Sequence, residues 1–255
     1  MAGNRVRQAF AEKRCAFGIF IMVPSPALVE IAGYVGFDFV VLDMEHGALG
    51  PESLEQMIRA AEVAGTSPIV RVTVNDRGLI LRALDAGALG VLVPHVASVQ
   101  AAQAAVSASK YPPEGFRGLS TTSRAGRHSL RGVRDHIEWS NREVLVAVQI
   151  EDAAALPEVD AIAAVPGIDV LFVGPSDLAL SLGHPGQVDH PAVEEAIGRI
   201  FEAAKKSQRE VGYFVRDVTG GKRMRDRGVR FLTFNSTLAM AQAFQELIRG
   251  IQERA

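Results

Sequence analysis

Asp43, Glu45 and His46 form the most chemically loaded stretch of the sequence, because they follow directly on the apolar run Phe39-Val-Val-Leu42. Charge beside buried apolar residues is costly unless it is paired, hydrogen-bonded or bound to a metal. Two acids and an imidazole at the mouth of a hydrophobic strand therefore point to a site rather than to packing. Other apolar runs end the same way. Arg71 follows Ile69-Val70, Gln149 and Glu151 follow Leu145-Val-Ala-Val148, and Ser176 and Asp177 follow Val170-Leu-Phe-Val173.

Glu151 and Asp177 pair best as metal ligands. Two carboxylates brought together without a cation repel, and one of them is driven to protonate. A divalent ion such as Mg²⁺ or Mn²⁺ removes that conflict, with water or substrate filling the remaining positions. No His-rich or Cys-rich cluster suits zinc. Taken singly, each acid serves equally well as a helix cap or an arginine partner, and for Asp177, after Gly174-Pro175-Ser176, an N-cap role competes; as a pair on one rim, metal binding is favoured. Arg71 sits where a strand would otherwise bury a side chain, so it needs a carboxylate such as Asp43 or a bound anion. We read it as stabilising an oxyanion. His46 is the natural general base; His95 after Pro94 is a weaker candidate, and His184 is a candidate lining residue. His128, His136 and His190 read as loop or cap residues. Asp85 lies in the last turn of a helix stopped by Gly87, where a carboxylate opposes the helix dipole, and surface tolerance accounts for it.

A metal and a guanidinium together can stabilise an enolate formed next to a carbonyl. The other route to such a carbanion is a Schiff-base lysine. The five lysines are Lys13, Lys110, Lys205, Lys206 and Lys222, and none ends a predicted strand. That favours the metal route.

Positioning these groups requires their strand ends to converge. Strands are expected at about 16–23, 37–43, 68–73, 89–94, 144–150, 169–174, 211–215 and 231–235. Helices are expected at about 26–34, 52–64, 75–86 with Asn75 as cap, 98–109, 154–165, 190–206, 217–227 and 236–252. Strands alternating with helices imply right-handed crossovers and a parallel sheet, and eight such units favour a closed (β/α)8 TIM barrel. No Gly-x-Gly-x-x-Gly follows the first strand, as a dinucleotide-binding open sheet would require. The stretch 110–141, rich in Pro, Gly, Arg and Ser, interrupts the rhythm as an excursion.

Composition sets the class. At 255 residues, 48% hydrophobic and 22% charged, the chain suits one barrel domain spanning 1–255. A net charge of −2 gives no basic surplus for nucleic acid. One cysteine, Cys15, excludes an internal disulfide framework, and no apolar run is long enough to span a membrane. The polar start carries no secretory pattern. We expect a cytoplasmic protein acting on a small molecule, with no membrane or nucleic-acid partner.

Seven motifs together carry a resemblance. Asp43-Met-Glu-His46, Val70-Arg-Val72, Leu84-Asp-Ala-Gly-Ala88, Leu92-Val-Pro94, Tyr111-Pro-Pro-Glu-Gly-Phe-Arg-Gly118, Gln149-Ile-Glu151 and Phe172-Val-Gly-Pro-Ser-Asp-Leu178 run in consistent order between about Phe17 and His190. They resemble the HpcH/HpaI aldolase family, the metal-dependent (class II) pyruvate aldolases of the 4-hydroxy-2-oxoheptanedioate and 2-keto-3-deoxy sugar-acid type. The resemblance implies cleavage of 4-hydroxy-2-oxo acids to pyruvate and an aldehyde through a metal-stabilised enolate. It implies Mg²⁺, Mn²⁺ or Co²⁺ on Glu151 and Asp177, with pyruvate held by Gln149 and the backbone around Ser176. Arg71 would stabilise the enolate, and His46, or a water it activates, would exchange the proton. Asp85 would raise the basicity of His46, and Asp43 would hold the polar network. A homohexamer with helices exchanged between barrels is implied by the same analogy. The chain departs from the pattern at Phe231-Leu-Thr-Phe-Asn-Ser-Thr-Leu238 and in the excursion, which carries Arg117, Arg124 and Arg127. Both departures bear on the aldehyde side. Competing readings are a citrate-lyase-like or malyl-CoA-lyase-like enzyme and a catalytically silent metabolite-binding barrel.

Overall fold

The computed structural model describes residues 3–252. The eight apolar runs form β1 (Ala16–Ile21), β2 (Phe39–Asp43), β3 (Ser67–Arg71), β4 (Gly90–Val93), β5 (Leu145–Ile150), β6 (Val170–Val173), β7 (Glu210–Phe214) and β8 (Phe231–Asn235). All neighbours are parallel, and β8 returns to pair with β1. A closed barrel leaves no edge strand with unpaired backbone groups. The helices before β5 are α1 (Arg5–Ala11), α2 (Pro26–Tyr34), α3 (Pro51–Val63), α4 (Arg77–Asp85), α5 (Val99–Ser109) and α6 (Val133–Glu143). Those after it are α7 (Val159–Ala163), α8 (Pro175–Ser181), α9 (Pro191–Lys206), α10 (Val218–Asp226) and α11 (Ser236–Gln252). This is the (β/α)8 architecture.

Two apolar layers hold it. Alternate residues of each strand point inward, and Phe20, Phe39, Ile69, Leu92, Phe172 and Phe231 fill the barrel. Phe39 and Phe231 stack with ring centroids 4.1 Å apart. Gly18 makes that layer possible, since a Cβ there would lie 2.2 Å from the Phe39 ring. The opposite strand faces pack Val40, Leu42, Val70, Val148 and Leu171 against the helices. Helix α1 closes the bottom of the barrel, placing Val6 and Ala9 in the inner layer.

Several local expectations shift. Asp76, not Asn75, caps α4 by accepting from the Gly78 and Leu79 amides; Asn75 instead donates to Ala101 O. The helix expected at 154–165 divides at Pro157 into a 3₁₀ turn, Ala153–Glu158, and α7, because proline cannot donate an intrahelical bond. Helices α1 and α8 were not foreseen, both being too short for a periodic signal. The excursion consists of turns followed by α6, and its buried Lys110 Nζ donates to Asn141 O and Val144 O, both at 2.7 Å. That burial pushes the Lys110 pKa down to about 8.

Asp38, just before β2, ties the lower end of the barrel together. Its carboxylate accepts from Arg14 at 2.8 and 2.9 Å and from the Phe17 amide at 3.0 Å. Burial acts to raise its pKa, but Arg14 and the amide outweigh that and hold it below the usual carboxylate range. A carboxylate with a folded pKa below its unfolded value of about 3.9 adds stability that is present above that value. The contribution is lost as pH falls through the folded pKa. Asp38→Asn should therefore lower the urea midpoint at pH 7 and flatten the decline in stability below about pH 4, both measured by circular dichroism.

Candidate active site

Strand register places the first polar pair. Asp43 and Arg71 are direct neighbours across β2 and β3, and both side chains are almost fully buried. Arg71 Nε and Nη2 donate to the two Asp43 oxygens at 2.9 and 2.6 Å, a bidentate arrangement that satisfies both buried charges. Its remaining nitrogen, Nη1, lies 3.0 Å from Glu45 Oε2, and the guanidinium carbon stands 4.8 Å above the Phe20 ring. Asp43 also shapes the turn beyond its strand, because Oδ1 accepts from the Glu45 and His46 amides at 3.1 and 3.3 Å. Gly47 completes that turn, where a Cβ would meet Asp43 O at 2.2 Å. His46 projects from it, more than half exposed, with Nε2 3.8 Å from Glu45 Oε2.

The second group comes from β5 and β6. Glu151 is 2% exposed, and the Gln149 amide donates to its Oε2. The His95 backbone amide donates to Glu151 Oε1 at 3.0 Å. Burial pushes the Glu151 carboxyl above the usual carboxylate range, and the charge of Asp177 adds to this against the opposing pull of His95 and Gln149. Gly174 makes room for the pair, since a Cβ would lie 2.6 Å from Glu151 Oε2 and 3.0 Å from Gln149 Nε2. Asp177 stands in the first turn of α8, whose cap position is Gly174, so Asp177 is not the N-cap.

These residues fit a hard divalent cation. Glu151 is buried and feels the charge of Asp177, and the buried Gln149 Oε1 has no hydrogen-bond partner. A cation beside Glu151, Asp177 and Gln149 Oε1 would answer both. Among the described residues no group of three or more His, Cys, Asp or Glu side chains forms a metal cage. The donor set is that of a Mg²⁺-type site, which leaves positions for water and substrate.

A cavity of about 170 Å³ opens between the two groups, lined by Phe20, His46, Arg71, Gln149, Ser176 and Asp177 among others. Its walls bring together the Asp177 carboxylate, the Gln149 amide, the Arg71 guanidinium and the His46 imidazole from the ends of β2, β3, β5 and β6. Asp85 is not brought there. Arg117 Nη2 donates to its Oδ1 at 2.7 Å, and it lines a different cavity with Met44, Leu79 and Arg82. The excursion's arginines also lie away from the mouth. Arg117 bonds Asp85 and Ser140, Arg124 pairs with Glu62, and Arg127 lines a cavity with Arg5, Thr66 and Ser67 near the strand starts.

Two residues emerge with roles that sequence reading left open. Glu45 had no assigned partner, yet it contacts Arg71 and lies near both His46 and His95. Its spacing of two from Asp43 was the available signal, since that repeats the inward direction of a strand. His95 adopts a left-handed φ of +53° and sets its ring 3.1 Å from Asp152, 3.4 Å from Glu151 and 3.7 Å from Glu45. Burial works against its charged form, but those carboxylates outweigh it and raise its pKa.

A family profile described as HpcH/HpaI aldolase/citrate lyase matches residues 16–242. A 5-keto-4-deoxy-D-glucarate aldolase from Enterobacter sp. (strain 638) is 37% identical over 93% of this chain and 92% of its own length. A hydroxypyruvate/pyruvate aldolase from Paraburkholderia phytofirmans is 36% identical over 96% and 97%, respectively. The crystal structure of an HpcH/HpaI aldolase/citrate lyase family protein from Burkholderia cenocepacia superimposes with a TM-score of 0.93 at 33% identity, covering 98% of this chain and all of that one. A site at the barrel mouth suited to carbonyl chemistry and likeness over nearly the whole chain lead to one assignment: the chain belongs to the HpcH/HpaI aldolase/citrate lyase family of carbon–carbon lyases.

Proposed function

We propose that the protein is a class II, pyruvate-dependent aldolase that reversibly cleaves 4-hydroxy-2-oxo acids to pyruvate and an aldehyde. The observation that carries this reading is the shared cavity, lined by the Arg71 guanidinium, the Asp177 carboxylate and the Gln149 amide, whose nitrogen donates to the buried Glu151. A divalent cation (Mg²⁺, Mn²⁺ or Co²⁺) held by Glu151 and Asp177 would, when bound, polarise the 2-oxo group and offset negative charge.

The side chains divide the remaining work. Gln149 and the α8 backbone at Ser176 orient the 2-oxo acid end, the helix N-terminus favouring an anion. His46, or a water it activates, accepts the 4-hydroxyl proton; the C3–C4 electron pair then passes into the pyruvate enolate as the aldehyde departs. The same imidazole returns the proton to C3, so proton and electrons balance. Its exposed position suits an exchanging base, and the Asp43-held turn fixes its origin. Arg71 needs no reorganisation to meet the enolate oxygen, because Asp43 and Glu45 already fix its plane. Asp85 has a place in this scheme only by family resemblance, as its partner within the chain is Arg117.

The protein is also proposed to act as a homo-oligomer, a hexamer by family analogy. Helix α11 exposes Phe244, Leu247, Ile248 and Ile251, the spacing of one continuous apolar stripe. An apolar stripe of this kind is stabilised by burial against another subunit.

Three outcomes test these statements. EDTA should abolish pyruvate release, measured by coupled NADH oxidation, and Mg²⁺ or Mn²⁺ should restore it; Glu151→Gln should also weaken Mn²⁺ binding followed by paramagnetic resonance. Activity surviving rigorous metal removal would reject the class II reading. Arg71→Lys should keep the melting temperature within a few degrees while lowering kcat roughly 100-fold, the scale of one lost oxyanion donor. The double substitution Leu247→Asp, Ile248→Asp should shift the light-scattering mass toward the protomer, whereas an unchanged mass would place the interface elsewhere.

A further inference from the structure

The segment Phe231–Leu238 has no part in the scheme above, yet it carries a polar side chain to the mouth. Asn235 ends β8 in register with Phe20 of β1, and Phe20 belongs to the inward-facing layer. Asn235 therefore points inward as well, half-buried, and lines the mouth cavity. Its amide is held at one end. Oδ1 accepts from the Leu238 amide at 2.9 Å in the first turn of α11, which turns Nδ2 away from the helix. Nδ2 lies 3.2 Å from Met22 Sδ, its one partner among the described residues, and a thioether is a weak acceptor. An amide donor is thus left nearly unspent in a stretch of wall otherwise built by Phe214, Phe20 and Met22.

Strand order sets this donor beside the end of the substrate that departs. In the closed barrel β1 faces β5, and β2 faces β6. A 2-oxo acid end held by Gln149 of β5 and the α8 backbone after β6 directs C4 toward the arc from β8 through β1 to β2. The turn bearing His46 stands on that arc. Ala48 N donates to Met22 O at 3.3 Å, so Met22 bridges the His46 turn on one side and Asn235 on the other. We propose that Asn235 is a catalytic residue, whose Nδ2 donates to the oxygen on C4 while His46, or its water, takes the proton of that oxygen. The inference rests on the aldolase reading and deepens it. In cleavage the hydroxyl proton leaves, the C3–C4 electron pair passes into the enolate, and the C4 oxygen becomes the aldehyde carbonyl. The amide loses no atom; its hydrogen bond strengthens while charge gathers on the oxygen it holds. In the synthetic direction the same donor polarises the incoming aldehyde.

A substrate with the smallest tail isolates this contact. 4-Hydroxy-2-oxopentanoate carries no polar atom beyond C4, and pyruvate has no C4 at all. The metal-loaded full-length protein is assayed for cleavage of the first by pyruvate release, and for exchange of the C3 protons of the second in deuterated water by NMR. Asn235→Asp and Asn235→Ser both keep an oxygen able to cap α11 while removing the amide donor. Each should lower kcat for cleavage roughly 100-fold, the scale of one lost oxyanion donor, while exchange falls far less. Equal losses in both reactions would make Asn235 a structural residue, and a loss confined to Asn235→Asp would be an effect of added charge; either overturns the assignment. Unchanged cleavage in both variants overturns it too, as does a wild type that exchanges pyruvate without cleaving the acid. These results leave the aldolase reading standing. A wild type that neither exchanges nor cleaves overturns that reading, and this inference with it.

Discussion

The bidentate pair between Asp43 and Arg71 is the constraint on which the site depends. Both groups sit at the last positions of adjacent parallel strands, so the sheet register itself brings them side by side. Neither charge has water to fall back on, and removal of one partner of a buried pair strands the other at a cost of about 3–5 kcal/mol. This interdependence fixes more than two side chains. The same Asp43 oxygen that receives Arg71 Nε also receives the Glu45 and His46 amides, so one carboxylate sets the guanidinium plane and the course of the turn bearing the imidazole. The imidazole and the guanidinium are thus positioned by one acid.

The rim as a whole carries more acid than base. Asp43, Glu45, Glu151, Asp152 and Asp177 gather around Arg71, His46 and His95. Asp43 and Glu45 share the guanidinium, and Asp152 has the His95 imidazole. Glu151 is the buried member of this group, and burial raises its carboxyl pKa despite His95 and Gln149, with the Asp177 charge adding to the rise. The site therefore favours a cation at the one place where a 2-oxo acid would also reach Gln149. Charge distribution and substrate geometry lead to the same position.

The barrel and much of this rim were legible in the sequence for a physical reason. A fully buried parallel strand reads as an unbroken apolar run, and its end is marked where a polar residue interrupts. Asp43, Arg71, Gln149, Glu151 and Asp177 all stand at such interruptions. Short pieces without periodicity, α1 and α8, were not legible, nor was the partner of Asp85, since Arg117 lies on an excursion with no pattern to fold it back. Glu45 was undervalued because it lies beyond its strand, where alternation no longer guarantees direction. His95 was undervalued for a related reason: its orientation comes from a left-handed backbone turn, which a residue other than glycine does not advertise.

The distribution of roles around the rim follows from how rigidly each position is held. The groups assigned to bond cleavage stand on or immediately after β2, β3, β5 and β6, where register and close-packed neighbours leave little freedom. Gly18 beneath Phe39 and Gly174 beside Glu151 show how tightly those layers are fitted. The loop after β7 is held less tightly: Arg216 and Asp217 are exposed there, and a substitution at either disturbs no buried layer. A fold arranged this way can hold the enolate chemistry constant while the acceptor end changes. The strand ends are bound by packing to remain as they are, and the loops are free to differ.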